Sequence, residues 1–348
     1  MSRIKVLVIE DSLTVRETLS EIVRSDPELE LVGQGADGKE AIELCRRLRP
    51  DVISMDMMMP VMTGLAATEY IMAHFPTPIL VVSASHNRGE LFHTYDALAG
   101  GAVDVLEKPT GSEADGVWER HYTSTLKLVS RIKVITHPRG RLLHLPPVAE
   151  AKTAQRYALA AIGASTGGPG AILDVLNGLP DSFSLPILFV LHISEPFGIA
   201  FADWLDSQTA RRVSYAKDGD LVAAAAGKVV MAPPGQHLGV RDGRLRLSLE
   251  AERHSCRPSV DVLFESVARD CGPSACACLL TGMGRDGAAG LLKIRQAGGL
   301  TVAQDEATSV IYGMPREAAL LGAATHVLPL GEIGPFLGRL PGSSPARR

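Results

Sequence analysis

The chain has 348 residues, of which 46% are hydrophobic and 21% charged, with a formal net charge of −4. This length suits two domains of ordinary size, and the composition is that of a globular protein with sizeable cores. The small net charge gives no basic footprint for nucleic acid, the first 11 residues lack a signal-peptide layout, and no apolar stretch reaches the roughly 18 residues of a membrane helix, so we expect a cytoplasmic protein without direct membrane insertion.

The first half of the chain alternates short apolar runs with amphipathic segments. The predicted strands are 4–9, 29–33, 51–55, 78–83 and 102–106. A helical pattern with Trp118, Tyr122, Leu126 and Val129 on one face closes this half. Five such units predict an α/β domain with a flavodoxin-like, doubly wound parallel sheet, in which ligands bind beyond the carboxyl ends of the strands.

The second half alternates strand and helix again. Its predicted strands are 157–163, 186–193, 228–232, 276–281, 300–304 and 325–329, and Asp242-Gly243 joins the arms of a predicted hairpin. This pattern predicts a Rossmann-like domain with a β-hairpin. We divide the chain into a first domain (3–136), a Pro- and Gly-broken linker (137–156), a second domain (157–340) and a tail (341–348).

Acidic residues follow two strands of the first half. Glu10 and Asp11 follow the first strand, and Asp56 follows the third. Three carboxylates at one edge repel one another unless a cation neutralises them, and hard oxygen ligands suit Mg²⁺. Ser83 and Lys108 at the ends of the next strands complete a site for a phosphoryl group on an aspartate. Solvated acidic strand ends are the simpler alternative.

A G-x-S-x-G motif, residues 163–167, lies where the first strand of the second half runs into a helix. Such a turn exposes the hydroxyl of Ser165, which needs a base to become a nucleophile. His192 ends the next strand, and Asp286 follows a later one, so the two could supply the base and the group that orients it. Asp305, His237 and His254 are rival candidates, and all of these residues could equally be structural.

Gly282, Gly284 and Gly287 spell G-x-G-x-x-G between a strand and a helix, which is also the signature of a dinucleotide site. A pyrophosphate would bind the N–H groups of this turn, and Asp286 inside the turn would repel it. Asp305 could still imitate the acid that binds a ribose. This alternative leaves Ser165 and His192 without a role.

Five cysteines, at positions 45, 256, 271, 276 and 278, form no C-x-x-C pair. Cys276 and Cys278 share one face of a predicted strand, which permits a metal site. Small hydrophobic residues buried in a reducing cytosol are the expected explanation.

The segments VLVIEDS, SMDMMMPVMTG, VVSAS and LEKP resemble a response-regulator receiver domain. The resemblance implies that Asp56 accepts a phosphoryl group from a histidine kinase and that Glu10, Asp11 and Asp56 hold Mg²⁺. It also implies that Ser83 and Lys108 sense the phosphoryl group. Receivers usually carry an aromatic switch residue three positions before the lysine. This chain has Val105 there, so the usual ring rotation cannot be its signal.

The segments IGASTGGP, CRPSVDVLFESVA and LLTGMGRDGAAGL resemble the catalytic domain of the chemotaxis protein-glutamate methylesterases. The resemblance implies hydrolysis of glutamate methyl esters on methyl-accepting chemoreceptors, with release of methanol, without an esterase cofactor and with possible deamidation of receptor glutamines. By the matching motifs, Ser165 is the nucleophile, His192 the base and Asp286 its orienting group, and the N–H of Met283 binds the oxyanion. The family further implies that phosphorylation uncovers the esterase cleft.

One segment departs from the family pattern. The chain reads HISEPFGIAFADWLD after the base, where family members often have Met-Pro and a Gly-Phe-Thr segment. We expect Phe197 and Trp204 to be the buried face of a helix.

Two other functions stay open from the sequence: a receiver fused to a dinucleotide-binding oxidoreductase, and a non-catalytic adaptor.

Overall fold

The computed structural model describes residues 3–84, 88–109, 116–132, 134 and 156–340. The chain divides into two compact units, residues 1–139 and 140–348. The predicted linker, apart from Arg156, and the predicted tail lie outside the described residues. The exact domain limits therefore stay a prediction.

The first unit is a five-stranded parallel sheet with the order β2-β1-β3-β4-β5. Its strands are β1 (Ile4–Ile9), β2 (Leu29–Gly35), β3 (Val52–Met55), β4 (Ile79–Ser83) and β5 (Asp104–Glu107). Its helices are α1 (Leu13–Ser25), α2 (Gly38–Leu48), α3 (Gly64–His74), α4 (Arg88–Ala99) and α5 (Val117–Val129). The predicted flavodoxin-like fold is confirmed.

Local signals explain where these elements begin and pack. The carboxylate of Asp37 accepts hydrogen bonds from the N–H groups of Lys39 and Glu40, which caps α2. The predicted apolar face of α5 is buried, and its Trp118 Nε1 donates a hydrogen bond of 2.8 Å to the carbonyl oxygen of Glu107. The closing helix is thus tied to the end of β5, immediately before Lys108.

The second unit is a seven-stranded parallel sheet with the order β14-β13-β12-β6-β7-β9-β8 and a separate antiparallel hairpin. Its strands are β6 (Leu159–Ala164), β7 (Ile187–Leu191), β8 (Val213–Tyr215), β9 (Val229–Met231), β10 (His237–Arg241), β11 (Arg244–Ser248), β12 (Ala275–Leu279), β13 (Leu300–Gln304) and β14 (His326–Leu328). Its helices are α6 (Gly168–Asn177), α7 (Glu195–Gly198), α8 (Phe201–Gln208), α9 (Val260–Cys271), α10 (Ala288–Gln296), α11 (Met314–Leu320) and α12 (Leu330–Gly338). The Rossmann-like class and the hairpin at Asp242-Gly243 are confirmed, whereas the three-residue strand β8 was not predicted.

The strand order places a topological switch point beside β6. The chain leaves β6 toward β7 and β9 on one side and later returns to build β12, β13 and β14 on the other. Ligands of open parallel sheets bind outside the carboxyl ends of the strands at such a point. The residues after β6, β7 and β12 therefore share the position where a site is expected.

In the part of the chain that the structure describes, no helix is long and apolar enough to cross a membrane.

Candidate active site

Ser165 and His192 follow two neighbouring strands at the switch point. Ala164 is in register with Leu191, so the next residues of the two strands, Ser165 and His192, occupy equivalent positions. The N–H of Ser165 donates a hydrogen bond of 3.0 Å to the carbonyl oxygen of Thr281, which follows β12. The ends of β6, β7 and β12 thus bring the predicted serine and histidine to one edge, together with the loop that carries Asp286.

The turn after β12 is glycine-rich because it passes close to Ser165. A Cβ added to Gly282 would lie 2.8 Å from the Cβ of Ser165, closer than side chains approach one another. Gly287 has a φ of +87°, and a Cβ there would lie 2.6 Å from Val260 Cγ1. Close packing and a left-handed turn therefore account for two of the three glycines that suggested a dinucleotide site.

Asp286 is buried at the amino-terminal end of α9, where helix N–H groups surround it. Its Oδ1 accepts hydrogen bonds from Ser259 Oγ (2.8 Å), Asp261 N (3.0 Å) and Gly287 N (3.0 Å). Its Oδ2 accepts one of 2.7 Å from Val260 N. Donors and a helix terminus of this kind stabilise a carboxylate. This cage leaves no room for a pyrophosphate on the same N–H groups.

His192 forms an ion pair with Asp286. The ring Nε2 lies 2.9 Å from Asp286 Oδ2. Burial alone raises the pKa of Asp286, but the hydrogen bond and charge of His192 and the backbone donors hold it below its usual range. Burial alone lowers the pKa of His192, but its hydrogen bonds to Asp286 and Cys256 raise it to about 9. The contact therefore favours the ionised forms of both groups, a carboxylate facing an imidazolium.

A cleft of about 530 Å³, which we call the His192 cleft, opens beside this pair. It is lined by His192, His254, Ser255, Cys256, Met283, Gly284, Arg285, Asp286 and Glu317. Within the described residues, the N–H of Met283 has no hydrogen-bond acceptor, so it is free to bind an oxyanion. Likewise, no hydrogen bond joins Ser165 Oγ to His192 among these residues. The structure thus brings His192, Asp286 and Met283 together, with Ser165 at the adjacent strand end.

The rival residues have other partners. Asp305 Oδ1 accepts a hydrogen bond of 3.0 Å from Thr308 N in its own turn. His237 is buried and bonds to Ser259 N and the carbonyl oxygen of Ala251. His254 Nε2 lies 3.1 Å from Asp261 Oδ2. Of the three, only His254 lines the His192 cleft.

The predicted burial of two groups of residues is confirmed for the first group and in part for the second. Phe197 and Trp204 are fully buried, so they support α7 and α8 from inside rather than forming a platform. Cys45, Cys276 and Cys278 are buried as predicted, and neither Cys276 nor Cys278 belongs to a cluster of potential metal ligands among the described residues. Cys256 and Cys271 are only partly buried, so the expected burial is wrong for these two cysteines.

Sequence reasoning missed the residues that hold the ion pair in place. Ser259 caps α9 and also bonds to Asp286, and Cys256 Sγ lies 3.7 Å from His192 Nδ1. Ser259 could have been found as an N-cap, because a serine immediately before an amphipathic helix is a start signal. Cys256 gives no such signal, since only the folded chain brings it to a residue 64 positions away.

The acidic cluster of the first unit lies at the ends of β1 and β3. Oxygens of Glu10, Asp11 and Asp56 lie within 4.8 Å of one another. Lys108 Nζ lies 2.9 Å from Glu10 Oε2 and 3.0 Å from Asp56 Oδ1. Burial raises the pKa of Glu10 to about 7, and the nearby charge of Asp56 adds to the rise while Lys108 opposes it. Burial likewise raises the pKa of Asp56. One lysine does not balance three carboxylates, and three oxygen donors this close together suit a hard divalent cation.

Ser83 and Val105 lie on the neighbouring strands. Ser83 is buried at the end of β4, and its Oγ donates to the carbonyl oxygen of Ala84 at 3.3 Å rather than to the acidic cluster. Its own carbonyl accepts a hydrogen bond of 3.0 Å from Lys108 N. Val105 lies within β5, in register with Val81. Lys108 thus already contacts the carboxylates, and Ser83 lies one strand away.

The first sheet carries an acidic cluster and a lysine at its carboxyl edge, and the second carries a serine, a histidine and an aspartate at its switch point. Residues 6–114 match the response regulator receiver domain, and residues 160–337 match the CheB methylesterase domain. The chain belongs to the CheB methylesterase family.

The similarity to relatives extends over nearly the whole chain. A protein-glutamate methylesterase/protein-glutamine glutaminase of Anaeromyxobacter dehalogenans is 45% identical over 330 residues, which are 95% of each chain. Another, of Syntrophus aciditrophicus, is 41% identical over 348 residues, covering 98% of this chain and 99% of the relative. The crystal structure of the Thermotoga maritima CheB methylesterase catalytic domain is 34% identical, covers 52% of this chain and 97% of its own, and has a TM-score of 0.49.

Proposed function

We propose that this protein hydrolyses glutamate γ-methyl esters on methyl-accepting chemoreceptors, and also deamidates receptor glutamines, under control of phosphorylation at Asp56. The observation that carries the proposal is the His192–Asp286 pair, 2.9 Å apart, beside a cleft and at the strand end next to Ser165. The relatives' names, protein-glutamate methylesterase/protein-glutamine glutaminase, support the same reaction and substrate.

The proposed chemistry follows from the roles of the three side chains. Ser165 Oγ attacks the ester carbonyl carbon while His192 takes its proton, and the N–H of Met283 donates to the oxyanion that forms. His192 then gives the proton to the departing methoxide, which leaves as methanol. A water molecule attacks the resulting acyl ester in the same way and restores the serine and a free glutamate. With a glutamine substrate the leaving group is ammonia.

Asp286 supports this cycle without reacting. It fixes the orientation of the imidazole and stabilises the imidazolium formed at each proton transfer. Because Asp286 Oδ2 bonds to Nε2, the nitrogen that exchanges a proton with Ser165 is Nδ1. The imidazole ring has two nitrogens, and Nδ1 is the one that Asp286 leaves available.

At the receiver, Asp56 accepts the phosphoryl group from a histidine kinase. Glu10, Asp11 and Asp56 would hold Mg²⁺, which when bound neutralises charge on the transferring phosphoryl group. Lys108 already touches two of these carboxylates, and Ser83 would offer its hydroxyl after a change of rotamer.

Methanol release from a methylated chemoreceptor fragment tests the proposal. We expect Ser165→Ala to abolish release, because the attacking hydroxyl is lost. Ser194→Ala is the matched control, since Ser194 is exposed just after His192 and its side chain makes no capping hydrogen bond. Full methanol release by Ser165→Ala would show that Ser165 is not the nucleophile. No release by the unaltered protein, with or without a phosphodonor, would refute the function and favour an adaptor.

A further inference from the structure

Both ring nitrogens of His192 have partners before any substrate is bound. Nε2 contacts Asp286, and Nδ1 lies 3.7 Å from Cys256 Sγ, within the range of a hydrogen bond to sulfur. The thiol of Cys256 in turn donates to the carbonyl oxygen of His254 at 3.4 Å. Because the thiol hydrogen is used there, the sulfur is left to accept the Nδ1–H of the imidazolium.

The position of Cys256 is fixed by its own backbone. Cys256 N donates to the carbonyl oxygen of Arg253 at 2.9 Å, and Arg253 N donates to the carbonyl oxygen of Cys256 at 3.1 Å. His254 and Ser255 between them have positive φ values of 53° and 59°, which non-glycine residues adopt only when the surrounding structure demands it. This tight turn aims the sulfur into the His192 cleft.

We propose that Cys256 is a positioning residue of the esterase site, whose sulfur occupies His192 Nδ1 and keeps this nitrogen from Ser165 until a substrate displaces the contact. The proposal rests on the esterase function proposed above, since Nδ1 is the nitrogen that must take the serine proton. It explains why no hydrogen bond joins Ser165 to His192 while the two occupy equivalent positions on adjacent strands.

Other charged groups near His192 lie beside Asp286 or line the cleft. Asp261 lies beside Asp286 and pairs with His254, and Arg253 Nε lies 3.8 Å from Asp261 Oδ2. Arg285 and Glu317 line the cleft. Among the described residues, Asp286 and Cys256 are the two that hydrogen-bond to the ring, and both raise its pKa. We therefore expect removal of the sulfur to lower the pKa of His192, whereas all the other groups remain.

A histidine titration followed by NMR tests the contact directly in the full chain. With ¹⁵N-labelled histidine, and His192→Gln to assign the signal, we expect Cys256→Ala to move the His192 midpoint about 0.5–1 pH unit lower, the value of one hydrogen bond. Cys256→Ser keeps a hydrogen-bonding group and should recover part of the difference. Cys271→Ala is the control, because Cys271 lies at the far end of α9. An unchanged midpoint in Cys256→Ala would overturn the proposal.

The pH dependence of kcat/KM for methanol release gives the second readout. Below the His192 midpoint the rate rises with pH as the imidazolium loses its proton. In Cys256→Ala this rise should shift to lower pH by the same amount, which increases the rate at pH 7 about 3–10-fold for that shift. A rate profile that coincides with that of the unaltered protein would also contradict the proposal. Absence of methanol release from every variant would refute the esterase function alone, since the NMR titration would still report on Cys256.

Discussion

At the scale of single residues, Asp286 combines a structural and a chemical role. It accepts hydrogen bonds from the first turn of α9 and from His192 at the same time. Its role as a candidate was readable from the sequence, because it follows a strand at the edge where Ser165 and His192 also lie. The donors from α9 that stabilise its carboxylate were not readable, since Ser259, Val260 and Asp261 lie 25 to 27 positions away in the sequence.

We expect Asp286→Asn to lower kcat for methanol release about 10³–10⁴-fold, because the amide neither holds the imidazole in the right tautomer nor stabilises its positive charge. The same substitution should lower the pKa of His192, since it removes the partner that raises it. Rates and the histidine NMR titration measure the two effects. Asp305→Asn is the matched control, because among the described residues the Asp305 carboxylate accepts its hydrogen bonds from Thr308 in its own turn. Equal loss in both variants would point to a general structural effect.

At the scale of elements, the sequence predicts which long, buried runs are strands. It does not predict the first and last residue of each strand. The run 300–304 agrees with β13 at both ends, whereas 186–193 shortens to Ile187–Leu191 in the structure. The missed β8 has three residues, and its pairing with β9 rather than its own composition makes it a strand. Tertiary pairing decides such edges, so local pattern cannot supply them.

Gly282 shows how an element boundary positions the site. We expect Gly282→Ala to reduce kcat about 10²-fold, because the added methyl group would clash with Met314 Sδ and with the Cβ of Ser165 and so displace the Ser165 hydroxyl. Methanol release at saturating substrate measures this. Gly331→Ala is the control, since an added Cβ in α12 meets nothing within 4 Å and should stabilise the helix by about 0.5–1 kcal/mol. An unimpaired Gly282→Ala enzyme would show that the close approach is not needed.

At the scale of the whole molecule, the sequence indicated two doubly wound domains, and the two parallel sheets confirm that class. The receiver pattern was readable because each functional residue ends a strand, from Glu10 through Lys108. The side-chain contacts of these residues were not readable from the sequence. The Ser83 hydroxyl bonds to the carbonyl oxygen of Ala84, and Lys108 bridges Glu10 and Asp56. Side-chain partners depend on charge balance, which a sequence pattern does not contain.

We expect a small-molecule phosphodonor with Mg²⁺ to raise methanol release several-fold in the unaltered protein. Asp56→Asn should keep the basal rate and lose the increase, because the acceptor oxygen is gone. A fragment of residues 157–348 should be active without a phosphodonor. A fragment no faster than the unphosphorylated full chain would contradict the idea that the receiver restrains the esterase.

The most direct test of the central claim is to locate the acyl intermediate. The protein is mixed with methylated receptor fragment, quenched in acid within one turnover, digested and analysed by mass spectrometry. The account predicts a glutamyl ester on the peptide that contains Ser165, absent from Ser165→Ala. An acyl group on the peptide that contains Cys256, or methanol release with no acylated peptide, would contradict it.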